Sequence, residues 1–346
     1  MALPYRTRRV FRGIGIATLF LALLLVLVWM VWLLWLDRYV VYTDDGAHFD
    51  FSRSNQSISG EIAIPPEDDV TVSIYFNEGD GTLNVSAELL QLHGYYVDRD
   101  MLAAGIPEVI AQLKKLPSET PVMIELKDIV GRFFYNTTLS DRRYSGIDIA
   151  GMEDLFAYLK KSDLYTIAKF PALRDYYYGL EHVSNGLAIK GGYLWMEPGT
   201  NCYWLNPTKD GTITYLMQQI LEIKAKGFDE VILGDFRFPD TNSIVFDGDR
   251  REALQATALR LLESCGTDRF AISFCVSDPK FILPEGSRSR IYFESIPAAD
   301  VGVTANSCMI TDLPVKLAFI TELKDTRFDD YGVLRPLTSA ELDDKK

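Results

Sequence analysis

The strongest constraint on this chain is an alternation that begins near Leu89. Short apolar runs are followed by amphipathic stretches, repeatedly, over roughly 240 residues. Strands are expected over 92–97, 122–126, 165–170, 231–233 and 271–276, with helices over 101–116, 152–161, 211–226 and 250–264. Three further apolar runs, 290–294, 301–304 and 317–321, supply strands six to eight with shorter connections. Parallel strands need long crossovers, and a helix after each strand provides them. A (β/α)8 barrel of the TIM type, over 88–325, is the economical α/β fold. The last three helices are poorly marked, so an incomplete barrel is the alternative. Residues 326–346 read as a polar tail.

The N-terminus sets a second constraint. Arg6, Arg8, Arg9 and Arg12 lie in a short basic stub, 1–12, and residues 13–36 form an uninterrupted apolar run ending in Trp29, Trp32 and Trp35. A run of this length can cross a hydrocarbon core of roughly 30 Å. Arginines on one flank and tryptophans on the other predict a cytoplasmic N-terminus and an outer interface at Trp32 and Trp35. Leu34-Trp35-Leu36-Asp37-Arg38 offers no small-residue cleavage site, so an uncleaved signal anchor is expected, with the lipid bilayer as a partner. The localisation that follows is a single-pass cell-membrane protein with an extracytoplasmic barrel. Residues 37–87 carry short alternating runs at 39–42, 62–64 and 70–76 between Pro-, Gly- and Asp-rich segments. They predict a β-rich stalk or decoration. Asn55, Asn84 and Asn136 start Asn-x-Ser/Thr sequences.

Charge and ligand-type residues exclude several functions. The net charge of -13 repels phosphate backbones, and no basic stripe with interleaved aromatics is present, so nucleic acid is not an expected partner. The three histidines lie far in sequence from Cys202, Cys265, Cys275 and Cys308, and no CxxC pair exists. Neither a metal nor another cofactor is expected. The cysteines read best as core thiols, with a Cys265–Cys275 disulfide as the alternative.

In a barrel of this type, function sits where strands end. The second strand ends in Glu125, Lys127 and Asp128, and the third leads to Lys169 and Arg174. Asp235 and Arg237 follow the fourth, Asp278 the fifth, Glu294 the sixth, Asn306 the seventh and Glu322 the eighth. Glycoside hydrolysis needs one carboxyl to protonate the leaving oxygen and a second to attack or activate water. Asp235 suits the nucleophile or base, and Glu294 or Asp278 the acid. Arg237 and Lys127 suit hydroxyl positioning or pKa tuning. The remaining tip residues, Glu125, Asp128, Lys169, Arg174, Asn306 and Glu322, are expected to bind substrate. Asp235 and Arg237 would equally serve as an ion pair holding their loop. The long loop 176–206 adds Trp195, Trp204 and several tyrosines, which would either stack on sugar rings or form a satellite core beneath the loop.

Four blocks carry a family resemblance: Glu125-Leu-Lys-Asp with Gly131 and Tyr135, Ile167-Ala-Lys, Trp204-Leu-Asn-Pro207, and Gly227-Phe-Asp-Glu with Arg237-Phe-Pro239. In order and spacing they resemble a family of predicted glycosyl hydrolases of the (β/α)8 class, itself likened to amylase-type barrels. The resemblance spans about Leu89 to Asp278. It implies a barrel, a carbohydrate substrate and acid catalysis. Departures accompany it. The family's fourth-strand acid falls on Gly234, with Asp235 one place later, and its fifth-strand acid falls on Cys275. The second-strand acid is Glu125, and Asn206 replaces an Asp.

Two functions follow. One is a membrane-anchored glycoside hydrolase acting on an envelope or extracellular polysaccharide, or a peptidoglycan-type glycan. The other is a barrel that has lost hydrolysis and binds glycans as an envelope scaffold or sensor. Metal-dependent deacetylation lacks the histidines it needs.

Overall fold

The computed structural model describes residues 23–26, 28–30, 32, 40–43, 46–49, 89–139, 149–284 and 286–340. The chain divides into two compact units, Met1–Asp80 and Gly81–Lys346. In the first, Val40–Thr43 pairs antiparallel with Gly46–Phe49. Among the described residues no helix is long and apolar enough to cross a membrane. The span expected over 13–36 lies largely outside the described residues, as do the strands expected at 62–64 and 70–76.

The second unit is a closed barrel of eight parallel strands. They are β1 His93–Val97, β2 Pro121–Glu125, β3 Tyr165–Pro171, β4 Glu230–Gly234, β5 Ala271–Cys275, β6 Ile291–Glu294, β7 Leu317–Ile320 and β8 Gly332–Pro336. Each pairs with its neighbour in sequence, and β8 closes on β1. The helices are α1 Arg99–Ala104, α2 Ile106–Leu113, α3 Met152–Leu159, α4 Tyr176–Glu181, α5 Asp210–Lys226, α6 Arg250–Cys265, α7 Val301–Ser307 and α8 Leu313–Lys316.

Local chemistry explains the boundaries. Asp98 caps α1 by accepting from the Met101 amide at 2.8 Å, and Asp249 caps α6 by accepting from the Arg251 and Glu252 amides. Gly227, at φ 92°, ends α5 in the left-handed region that a side chain would resist. α5 buries Ile213, Leu216, Ile220 and Ile223 at helical spacing against the barrel.

The last quarter differs from the sequence expectation. Residues 301–304, expected as strand seven, are the start of helix α7, which places Asn306 on an exposed helical turn and away from any strand tip. The run expected as strand eight is β7, and the true β8 lies in the supposed polar tail. Its Val333 and Leu334 are buried and Gly332 lets it pack closely on Ala318 of β7. The barrel therefore extends past 325.

Strand parity separates two cores. Residues such as Val122, Ile124, Val231 and Leu233 face the helices in the larger core. Tyr96, Met123, Ile167, Ile232, Cys275, Tyr292, Ala318, Ile320 and Leu334 fill the barrel interior. At the N-terminal end of the barrel the interior is polar. Glu230, fully buried, accepts from Tyr165 at 2.9 Å, Tyr292 at 2.9 Å and Ser273 at 2.5 Å, and forms an ion pair with buried Arg290. Every charge in this plug has partners, as burial requires. The four cysteines are free thiols, with Cys202, Cys265 and Cys275 buried, as the core reading expects.

Candidate active site

The alternation that sends Met123, Ile167, Ile232 and Tyr292 inward also sends Glu125, Lys169, Gly234 and Glu294 inward, one layer nearer the C-terminal end. Above that layer opens a cavity of about 530 Å3, lined by Tyr96, Asp98, Glu125, Lys169, Glu294 and Glu322 among others. Four of the candidate residues are thus brought together: Glu125, Lys169, Glu294 and Glu322.

Their environments differ. The Lys169 ammonium forms an ion pair with Glu294. Burial alone would lower its pKa, but Glu294 and Glu125 together raise it above the ordinary lysine range, so Lys169 stays charged. Gly234 makes room for this arrangement, since a Cβ there would sit 3.3 Å from the Lys169 Cε. The buried Cys275 thiol is hydrogen-bonded to Glu294 and is pushed well above its ordinary range, chiefly by burial and then by that carboxylate. Glu125 accepts from the Arg99 amide at 3.1 Å. Burial raises its pKa, and Lys169 and the Arg99 amide only partly offset this. Tyr96 is pushed up to about 12 by burial and by Glu322. Ser295, directly after Glu294, adopts φ 57°, a conformation costly for a residue other than glycine.

Asp235 lies beside this layer and outside the lining of the cavity. Its φ of 47° turns the chain out of β4 immediately after the inward Gly234. Its carboxylate sits 3.5 Å from Arg174 and 3.6 Å from Arg237. Burial raises its pKa against the opposing pull of those two guanidiniums, and Glu294 and Lys169 lie within electrostatic reach. Arg174 also pairs with Glu197 at 2.5 Å. Both guanidiniums lie over the ring of Trp204, at 5.4 Å and 4.8 Å.

Several expected contacts are corrected by burial. Trp204 is fully buried beneath the two arginines and presents no face to a sugar. Lys127 is fully buried, pairs with Asp175 at 2.7 Å and donates to Gln219 at 3.3 Å. It follows β2 by two residues, and parity alone does not reveal that its loop folds back under α5. Asp128 accepts from the Val130 and Arg132 amides and from the Arg132 side chain, so it shapes a turn. Asp278 is on the surface, paired with Arg251 at 2.7 Å. Against its partial burial, the Lys280 amide and Arg251 hold it below the ordinary carboxylate range, the wrong direction for an acid. Trp195 is half-buried against the larger core. Most loop tyrosines follow the satellite-core alternative. Tyr178 stacks on Tyr215 at 3.9 Å and Tyr176 on Tyr203 at 5.4 Å, whereas Tyr193 is 75% exposed. Tyr96 and Asp98 were missed, although the end of the first strand carried the same signal as the others. Among the described residues no group of His, Cys, Asp and Glu could hold a metal ion.

Residues 103–263 match the family model described as "Putative glycosyl hydrolase domain". The match runs from α1 into α6, so it includes Glu125, Lys169, Arg174, Asp235 and Arg237 but not Glu294 or Glu322. Among solved structures, the glycoside hydrolase domain of PelA from Pseudomonas aeruginosa is 14% identical, with 71% of this chain and 95% of that one covered and a TM-score of 0.45. A hypothetical protein from Ruminiclostridium thermocellum is 16% identical over 55% of this chain and 100% of that one, at 0.45. The α-galactosidase AgaA from Geobacillus stearothermophilus is 8% identical over 72% of this chain and 39% of that one, at 0.47. No curated protein matches.

Proposed function

We propose that this glycosyl hydrolase-like barrel cleaves a glycan in the cavity above Glu125, Lys169 and Glu294. The observation that carries this is the contrast between two carboxyls in one layer. Glu294 is held by the Lys169 ammonium, whereas Glu125 is raised by burial. Paired carboxyls with divergent environments divide acid from base. Glu125, protonated, gives its proton to the leaving glycosidic oxygen as the C–O bond breaks. Glu294, paired with Lys169, attacks the anomeric carbon or takes a proton from the attacking water. Lys169 positions Glu294, and Asp235, clamped by Arg174 and Arg237, shapes the adjoining wall. Tyr96 and Glu322 are placed to meet sugar hydroxyls. The apolar run 13–36 supports a membrane anchor holding the barrel outside the cytoplasm, with an envelope or extracellular polysaccharide as substrate.

A second function, glycan binding without cleavage, is favoured by Gly234 and Cys275. Both are inward positions in the site layer that carry no carboxylate. Incubation of the full-length chain with a panel of envelope and plant glycans separates the two. New reducing ends that disappear in Glu125→Gln and in Glu294→Gln are expected. Release that survives in both variants would remove these residues from the mechanism. Retention on one glycan without release would establish the binding function.

A further inference from the structure

We propose that a small cavity between the tips of β4 and β5 receives an anionic substituent, a carboxylate or a sulfate ester, of the glycan; this rests on the glycan reading above. The cavity, about 150 Å3, is lined by Phe236, Phe238, Arg237, Arg250, Arg251 and Asp278 together with further apolar side chains and Ser277. Three guanidiniums face one carboxylate there, in a chain whose net charge is -13. Asp278 is committed to Arg251 at 2.7 Å.

The other two arginines are held by rings and keep donors to spare. Arg250 lies over Phe238 at 5.5 Å and, among the described residues, donates to the Thr241 carbonyl at 3.2 Å. Among the described residues it has no carboxylate partner. Arg237 lies over Trp204 at 4.8 Å and donates at 3.4 Å to the Phe238 carbonyl. Its ion-pair contact, Asp235 at 3.6 Å, is longer than a hydrogen bond. Contact with the rings restrains both guanidiniums before a ligand arrives, and a planar fork suits an oxyanion with two oxygens. The α6 amides do not supply the site, because Asp249 already accepts from them.

Position links this cavity to the glycan. Arg237 borders it and also faces Asp235, which is within electrostatic reach of Glu294 and Lys169. We place the acidic sugar next to the scissile bond, on the Asp235 side of the site.

The test compares a polyuronate, its carboxyl-reduced neutral counterpart and a sulfated glycan for retention by the full-length chain in detergent. Wild type is expected to hold the polyuronate or the sulfated polymer about tenfold more tightly than the neutral one, with the difference screened by salt. Arg250→Gln and Arg237→Gln should each reduce that preference, and Arg250→Lys should restore part of it. Which acidic polymer is preferred identifies the substituent. Equal retention of all three polymers, or a preference unchanged in both glutamine variants, overturns the proposal. If no polymer binds, the glycan reading fails and sulfate is titrated against the fluorescence of the chain, in which Trp204 lies under Arg237. A saturable change lost in Arg250→Gln would then keep the anion site, and no change would overturn it as well.

Discussion

Glu125 and Glu294 end β2 and β6 in the same layer, and the burial of Glu125 sets an expectation for pH. Burial raises the folded-state pKa of Glu125 above its ordinary 4.5. As the proposed acid, it must be protonated, so kcat/KM should fall as pH rises through that raised value. Glu125→Gln should lose that dependence along with about 10²- to 10⁴-fold in rate. The same shift makes a stability statement. A carboxyl that binds its proton more tightly when folded adds stability that is fully present below the unfolded pKa and is lost as pH rises through the folded one. The melting temperature of Glu125→Gln should therefore gain on wild type as pH rises from 4 through that window. A constant difference across the titration would contradict the buried-acid assignment. This distinction was only half legible in the sequence. Residue types at strand ends marked Glu125, Lys169 and Glu294, and period-two alternation fixes which way they point. Asp235 was the obvious acid by composition. Its position directly after inward-facing Gly234, with φ of 47°, puts it outside the cavity lining, and no spacing rule supplies a backbone turn of that kind.

At the scale of elements, strands followed by long amphipathic helices were readable because two periodicities agree there. Connections shorten after β5, and beyond β6 the signal fades. Val301-Gly-Val-Thr304 has strand-like composition, yet it continues a 3₁₀ turn at Ala298–Asp300 and forms α7. The loop between β3 and α5 was legible as functional or self-packed but not as which, because that depends on partners distant in sequence. Lys127 is the clearest example. Its ammonium lies over Phe133 at 5.4 Å and Tyr215 at 4.9 Å, and pairs with Asp175, which accepts from Tyr215 at 2.9 Å and caps α4 through the Tyr178 amide. This one buried pair ties the loops after β2 and β3 to α5. Lys127→Met would leave Asp175 charged and without a counter-ion in the interior, a change that costs about 3–5 kcal/mol. Chemical denaturation should show that loss. A loss well under 1 kcal/mol would mean that the loop is held by its aromatic packing alone.

Closure of the barrel belongs to the whole molecule and depends on its least conspicuous strand. β8 is five residues long and carries two buried apolar side chains, Val333 and Leu334. It nevertheless pairs on both sides, with β7 through Ala318, Phe319 and Ile320 and with β1 through His93 to Tyr96. Without it, β7 and β1 would each expose a hydrogen-bonding edge, and the interior cluster that includes Leu334 would open to water. The site would suffer with the fold, because Tyr96 on β1 and Glu322 after β7 line the cavity from the two sides of that seam. A chain ended after Tyr331 should therefore lose its cooperative thermal transition and all glycan retention together. Leu334→Ala, which keeps the backbone pairing and removes only interior packing, should melt cooperatively with a cost of about 2–5 kcal/mol. If the shortened chain still melts cooperatively, the first seven strands would be sufficient for the fold, and closure by β8 would serve the cavity alone.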